Sequence, residues 1–189
     1  MIDQDATAPE PIIGWRAWNL AIVRGAPRLI PVGDRRTPWP VRRAARARCG
    51  RHRRHRAPSH GCTCGLHAAK GPELLRRTRG PVVLGSVALW GRTVEHMLGY
   101  RSEFAYPQRL RLVCPVCFWQ CGRSITRPRI VAIDRDGAAM PLCDEHRRTA
   151  EASGLALGRW TPGRDLESRL LAEYRVEILP FGTVPTDQE

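Results

Sequence analysis

The chain has 189 residues, of which 42% are apolar, and a formal charge of +13; this is enough for one domain or two small ones with a modest core. The charge is local, because thirteen arginines and Lys70 lie between Arg35 and Arg79 against a single acid, Glu73, while the remainder balances; such a segment attracts polyanions, nucleic-acid phosphates first. No apolar run approaches the roughly 18 residues that span a bilayer, and Met1 to Pro11 lacks the pattern of a secretory signal, so no membrane partner is expected and the chain is read as cytoplasmic, with reduced thiols.

Residues 1–13 are read as a flexible start. Gly14 to Val23 has strand character, with Trp15, Ala17 and Asn19 on one side and Trp18, Leu20 and Ile22 on the other. Gly25-Ala26-Pro27 breaks it, and Arg28 to Val32 returns as the second strand of a hairpin. From Val41 to Lys70 the chain holds too few large apolar residues to order itself by burial, so Val41 to Arg56 alone is a basic helix or a disordered arm unless metal ligation orders it. Pro81 to Trp90, Arg92 to Leu98 and Arg109 to Val113 follow as three strands, with Gly85, Gly91 and Gly99 easing curvature. Arg129 to Ile133 is a short strand ended by the turn Asp134-Arg135-Asp136-Gly137. Cys143 to Ala152 reads as a helix. A last helix starts at Thr161-Pro162 and presents Leu166, Leu170, Leu171 and Tyr174, before an extended Val176 to Leu179. The expected fold class is α+β. Residues 14–113 form a small antiparallel sheet or partly closed barrel carrying a basic Cys/His-rich loop over 35–79. Residues 114–189 form a metal-stapled module with a C-terminal helix and strand.

Seven cysteines and six histidines supply the staples. Cys114-x2-Cys117 is answered by Cys143-x2-His146, a ligand spacing that suits a tetrahedral zinc ion. A thiolate at Cys143 gains from the positive end of the helix that follows. Cys121 offers an all-cysteine alternative, but with His146 in register it is read as an ordinary small core residue. Cys49, Cys62 and Cys64 form a second set, its fourth ligand His55 or His60, with His55 preferred. Two zinc ions are therefore expected.

Gly14-Trp15-Arg16-Ala17-Trp18, then His55-Arg56-Ala57-Pro58 leading to Cys62-Thr63-Cys64-Gly65, and Leu89-Trp90-Gly91-Arg92-Thr93-Val94-Glu95-His96 through Gly99-Tyr100-Arg101 to Ala105-Tyr106-Pro107 together resemble a set of small, largely uncharacterised bacterial proteins. The resemblance spans residues 14–107. It implies the N-terminal metal site, with His55 as the favoured imidazole, and no activity. The C-terminal part resembles a treble-clef zinc finger: a knuckle at Cys114 to Cys117, a hairpin through Ile125 to Ala139, and a helix that opens with Cys143 and His146.

No catalytic framework emerges. His67-Ala68-Ala69 lacks the glutamate of a zinc deaminase, Val113 stands where that motif needs proline, and HExxH, Walker, GxGxxG and GxSxG patterns are absent. Glu95 and His96, adjacent on a strand, should point one inward and one outward. No small-molecule substrate is inferred. The expected role is a non-enzymatic, nucleic-acid-associated protein whose Arg42, Arg43, Arg46, Arg48, Arg51, Arg53, Arg54 and Arg56 contact the phosphates of DNA or RNA. The alternative is a protein–protein adaptor or regulator docking on a larger complex through an exposed sheet, Trp39 or the last helix.

Overall fold

The structure is a computed structural model that describes residues 10–33, 37–51, 55–78, 80–122, 126–154, 159–180 and 182. It is a mixed α+β fold, mostly strands with few helices. No helix among the described residues is long and apolar enough to cross a membrane.

Strands β1 (Ile12–Val23) and β2 (Ala26–Pro31) form the expected hairpin, Val23 pairing with Ala26. The turn lies one residue earlier than the Gly-Ala-Pro break suggests. Arg24 and Gly25 have φ of 51° and 77°, the paired positive values of a two-residue turn whose twist matches that of the strands. After β3 (Ala45–Arg46), β4 (Leu66–Ala69) and a 3-10 turn at Pro72–Arg77 come the two longest strands, β5 (Val83–His96) and β6 (Gly99–Leu112).

The three strands expected from Pro81 to Val113 are thus two, because Gly91 bends a strand that it does not end. Its φ is +74°, the β5–β6 register shifts between Trp90 and Thr93, and a Cβ there would meet Phe104 at 2.8 Å. A glycine bulge absorbs the extra residue and pairing resumes beyond it. Glu95 and His96, on the resumed part, are both exposed, and Glu95 pairs with Lys70 at 2.5 Å. The expected inward side chain is absent because this end of the hairpin runs past the core.

The pairings close a ring. β1 lies on β5, β5 on β6, β6 on β4, and β4 returns to β1 through the single pair Trp15 and Ala69. Closure needs close backbone approach at Gly99, where a Cβ would lie 2.1 Å from the Ala68 carbonyl oxygen.

A second, three-stranded sheet comprises β7 (Ile130–Ile133), β8 (Ala139–Leu142) and β9 (Arg159–Pro162), with β7 central. Helix α1 (Asp144–Ala152) follows β8, and α2 (Gly163–Tyr174) follows β9. Thr161 and Pro162 were expected to open the last helix. They are instead strand residues paired with Val131 and Ile130, and Gly163 N–H donates to the Arg129 carbonyl at 2.8 Å. β7 takes up this segment before a helix can begin. β10 (Glu177–Ile178) then runs parallel to β6.

The apolar stripe of α2 is core. Leu166, Leu170 and Tyr174 are fully buried with Trp18, Leu29 and Leu110, and Trp39 is 3% exposed with its ring edge-on to Trp18 at 5.8 Å. Neither Trp39 nor this stripe is therefore a docking surface. The other face of β1 contributes Ala17 to a smaller cluster with Leu75, Leu84, Val113, Phe118 and Leu179.

Tyr174 locks α2 in place with its hydroxyl as well as its ring. The hydroxyl accepts from Leu29 N–H and donates to the Trp39 carbonyl, each at 3.0 Å. Burial pushes its pKa up to about 12, which keeps the donating proton in place. Tyr174→Phe would keep the ring and leave a buried N–H and C=O unpaired, so a loss of about 2 kcal/mol is expected in urea unfolding. An unchanged midpoint would refute the lock.

Candidate metal centres

The two cysteine-rich sets converge in space. Cys49, His55, Cys62 and Cys64 form one cluster and Cys114, Cys117, Cys143 and His146 the other, with all ligand atoms of each set within 4.8 Å of one another. Both clusters could hold a metal ion.

The first cluster closes the base of an excursion from a strand edge. β3 and β4 both pair antiparallel with β6, Ala45 and Arg46 against Ala105 and Phe104, and Leu66 to Ala69 against Ser102 to Gly99. They behave as one edge strand interrupted opposite Glu103, whose carbonyl accepts Ala47 N–H at 2.7 Å. Between them the chain leaves the sheet and returns. Cys49 stands just after departure and Cys62 and Cys64 just before re-entry. The Cys49 and Cys62 sulfurs lie 3.8 Å apart, and His55 Nε2 lies 3.2 Å from the Cys64 sulfur. The described residues that bring the cluster together include His55 and not His60, which is exposed.

β6 holds this excursion from below through Arg101 and Glu103, two residues apart and so on one face. The Arg101 guanidinium donates to the carbonyls of Ser59 and Cys64, each at 3.2 Å, and to that of Cys62. The Glu103 carboxylate, 8% exposed, accepts from Arg56 at 3.1 Å and Arg46 at 3.5 Å. Desolvation acts to raise its pKa, but the hydrogen bond and charge of Arg56, with Arg46 behind it, hold the carboxyl below its ordinary value. The sequence reading missed both residues. Their signal was a lone acid inside an arginine-containing strand, facing an arginine-rich segment of matching charge.

The eight arginines expected to meet phosphate are therefore not equivalent. Arg46 and Arg56 share Glu103, and Arg42 donates to the Glu173 carbonyl at the end of α2 at 3.4 Å. Arg43, Arg48 and Arg51 are exposed around the excursion. Arg53 and Arg54 lie outside the described residues.

The second cluster is itself a core. Cys114, Cys117 and Cys143 are buried with Leu142, and Ile130 and Ala150 pack against them. A helical turn at Val116–Gln120 follows Cys114-Pro115 and turns Cys117 back toward it. Cys143 is the N-cap of α1 and His146 lies in its first turn. His146 Nδ1 lies 3.6, 3.3 and 3.2 Å from the sulfurs of Cys114, Cys117 and Cys143, and the last two sulfurs are 3.6 Å apart. Metal–sulfur bonds of ~2.3 Å and metal–nitrogen bonds of ~2.0 Å in a tetrahedron give edges of ~3.8 and ~3.5 Å. The observed edges agree within a few tenths of an ångström.

At Cys117 and Cys64 the surrounding protein favours the thiol over the thiolate. Burial pushes the Cys117 thiol up to about 12, with Cys143 and Cys114 adding to the effect, and burial also raises Cys64. A cation among the sulfurs reverses this order, because the thiolate is the ligand form. Cys121 is not the core residue expected. It is exposed, its sulfur 3.9 Å from His146 Nε2 on the side away from the cluster. The helical turn places it past the fully buried Phe118, beyond the packed interior.

Comparison with protein-family models, curated proteins and solved structures yields no match for this chain. The ligand sets can be separated by substitution. Cys117→Ser and Cys64→Ser should each lower bound metal by about one equivalent per chain, whereas Cys121→Ser should leave it unchanged. Elemental analysis of the purified variants reads this directly, and metal loss in Cys121→Ser would put Cys121 among the ligands.

Proposed function

We propose that the protein is a zinc-stabilised, non-enzymatic nucleic-acid-associated protein that presents its arginine-rich excursion to phosphates. The observation that carries this reading is the Cys49, His55, Cys62 and Cys64 cluster at the base of that excursion, where it would hold a strongly basic segment that has almost no apolar core. Ala57 is a rare buried apolar side chain there. A basic segment held in one conformation meets a phosphate backbone without the ordering cost of a disordered arm.

Zinc is favoured over iron–sulfur chemistry because each set contains one imidazole and three thiols, a regular zinc ligand set. A treble-clef reading of the C-terminal module is supported by its order: turn with two cysteines, hairpin β7–β8, then a helix opened by Cys143 and His146. The module would position, not perform, chemistry.

Phosphate contact in this scheme falls to Arg43, Arg48 and Arg51, with Arg46 and Arg56 restrained by Glu103. Elemental analysis should find two zinc ions per chain. Binding to mixed-sequence DNA or RNA should weaken steeply with salt, and Arg48→Ala with Arg51→Ala should reduce the log–log salt slope by about 2. Glu103→Gln, which removes the competing charge and keeps the hydrogen-bonding shape, should tighten binding. No binding to either nucleic acid at low salt would overturn the proposal. A pull-down of protein partners that survives nuclease treatment would favour the adaptor reading.

A further inference from the structure

A groove far from the excursion in sequence carries its own set of guanidiniums. It runs between α1 and the edge strand β9, with Ile130 and Pro162, cross-strand neighbours, among its lining residues, and it encloses about 580 Å³. α1 lines it with Asp144, Arg147 and Glu151, spaced as successive turns of one helix face. Trp160 lines it from β9 and is 64% exposed. Its neighbour across the sheet is Ala132, too small to cover an indole.

The charge of the groove is positive and partly pre-arranged. Arg127, Arg129, Arg147 and Arg164 line it against two carboxylates. Both carboxylates are already engaged, Asp144 with Arg129 at 3.4 Å and Glu151 with both oxygens on Arg147 at 2.8 Å. Each pair leaves guanidinium N–H groups for an incoming acceptor, since the fork has five donors. The lining carries four guanidiniums against two carboxylates, so its net charge is positive. An exposed indole beside several guanidiniums matches a ligand that joins flat aromatic rings to phosphates.

We propose that this groove binds single-stranded nucleic acid, one base stacking on Trp160 while flanking phosphates meet Arg127, Arg129 and Arg164. A duplex keeps its base faces against one another and cannot offer one to the indole. An acidic peptide would satisfy the arginines and leave Trp160 without a flat partner. A strand also places phosphates on both sides of the stacked base, which suits guanidiniums contributed by two separate segments, the stretch before β7 and the start of α2. The site is independent of the excursion and stands whether or not Arg48 and Arg51 contact phosphate.

The test uses the full, metal-loaded chain and a short labelled oligothymidylate at low salt, read by anisotropy. Trp160→Ala should weaken binding about fivefold or more, Trp160→Phe should stay close to the native chain, and Arg164→Ala should lower the salt slope by about 1. Trp160 is exposed, so its removal empties no core, and unchanged metal content checks the fold. A duplex of equal length should bind Trp160→Ala and native chain alike. Native-like strand binding by Trp160→Ala overturns the proposal. So does a poly-glutamate peptide that competes as well as the strand, or thymidine monophosphate that competes at the strand's own affinity. Loss of strand binding in Arg48→Ala and Arg51→Ala, with none in Trp160→Ala, overturns the groove alone and leaves the excursion reading intact.

Discussion

Almost every strand of the larger sheet is fastened to the pairing of β5 with β6. β1 lies along β5, while β3, β4 and β10 add to β6, and α2 packs over the sheet from the same core. The hairpin can serve as this frame because it is buried over most of its length and because Gly91 lets it continue past an irregularity that would otherwise end it. Its strands are consecutive and meet at His96 and Gly99, so its pairing is local in sequence for a sheet, and once formed it fixes where the other elements must pair. The Glu167 carboxylate shows how tightly: it reaches from α2 to accept the N–H of Leu112 at 3.0 Å, at the far end of β6.

The two Cys/His clusters solve the same problem in different settings. The C-terminal module has a small sheet, a short helix and little apolar volume of its own, so its three cysteines occupy the place that leucines would take in a larger domain. Among its described residues the excursion has no such interior, and polar ties from Arg101 and Glu103 do part of the holding. Their imidazoles face inward through different nitrogens, Nδ1 at His146 and Nε2 at His55. The short reach of Nδ1 fits a histidine on the same helical turn as its cysteine, and the longer reach of Nε2 fits one that approaches across a loop.

Local signals were legible in the sequence and non-local ones were not. Ligand spacing at Cys114, Cys117, Cys143 and His146 is a property of a few residues, and so are the β1–β2 hairpin and the apolar stripe of α2. β9 is four residues with a proline, and only β7 makes it a strand. Trp39 reads as an exposed residue between two prolines until Trp18 closes over it. Cys121 has the spacing of a ligand and the composition of a core residue, and the direction of the preceding helical turn makes it neither. Glu103 falls between two expected strands, in a stretch assigned no element, and looks like one more surface charge. Its part appears only when the excursion brings Arg46 and Arg56 above it.

The interruption opposite Glu103 carries a consequence for how this chain can vary. The excursion departs from and rejoins one edge of β6 at adjoining rungs, so strand register on either side is set without reference to what lies between. Residues between Cys49 and Cys62 can then vary while the sheet keeps its pairing, provided the four ligands still meet and the ties to Arg101 and Glu103 are kept. The segment is in effect an exchangeable cassette on a fixed mount.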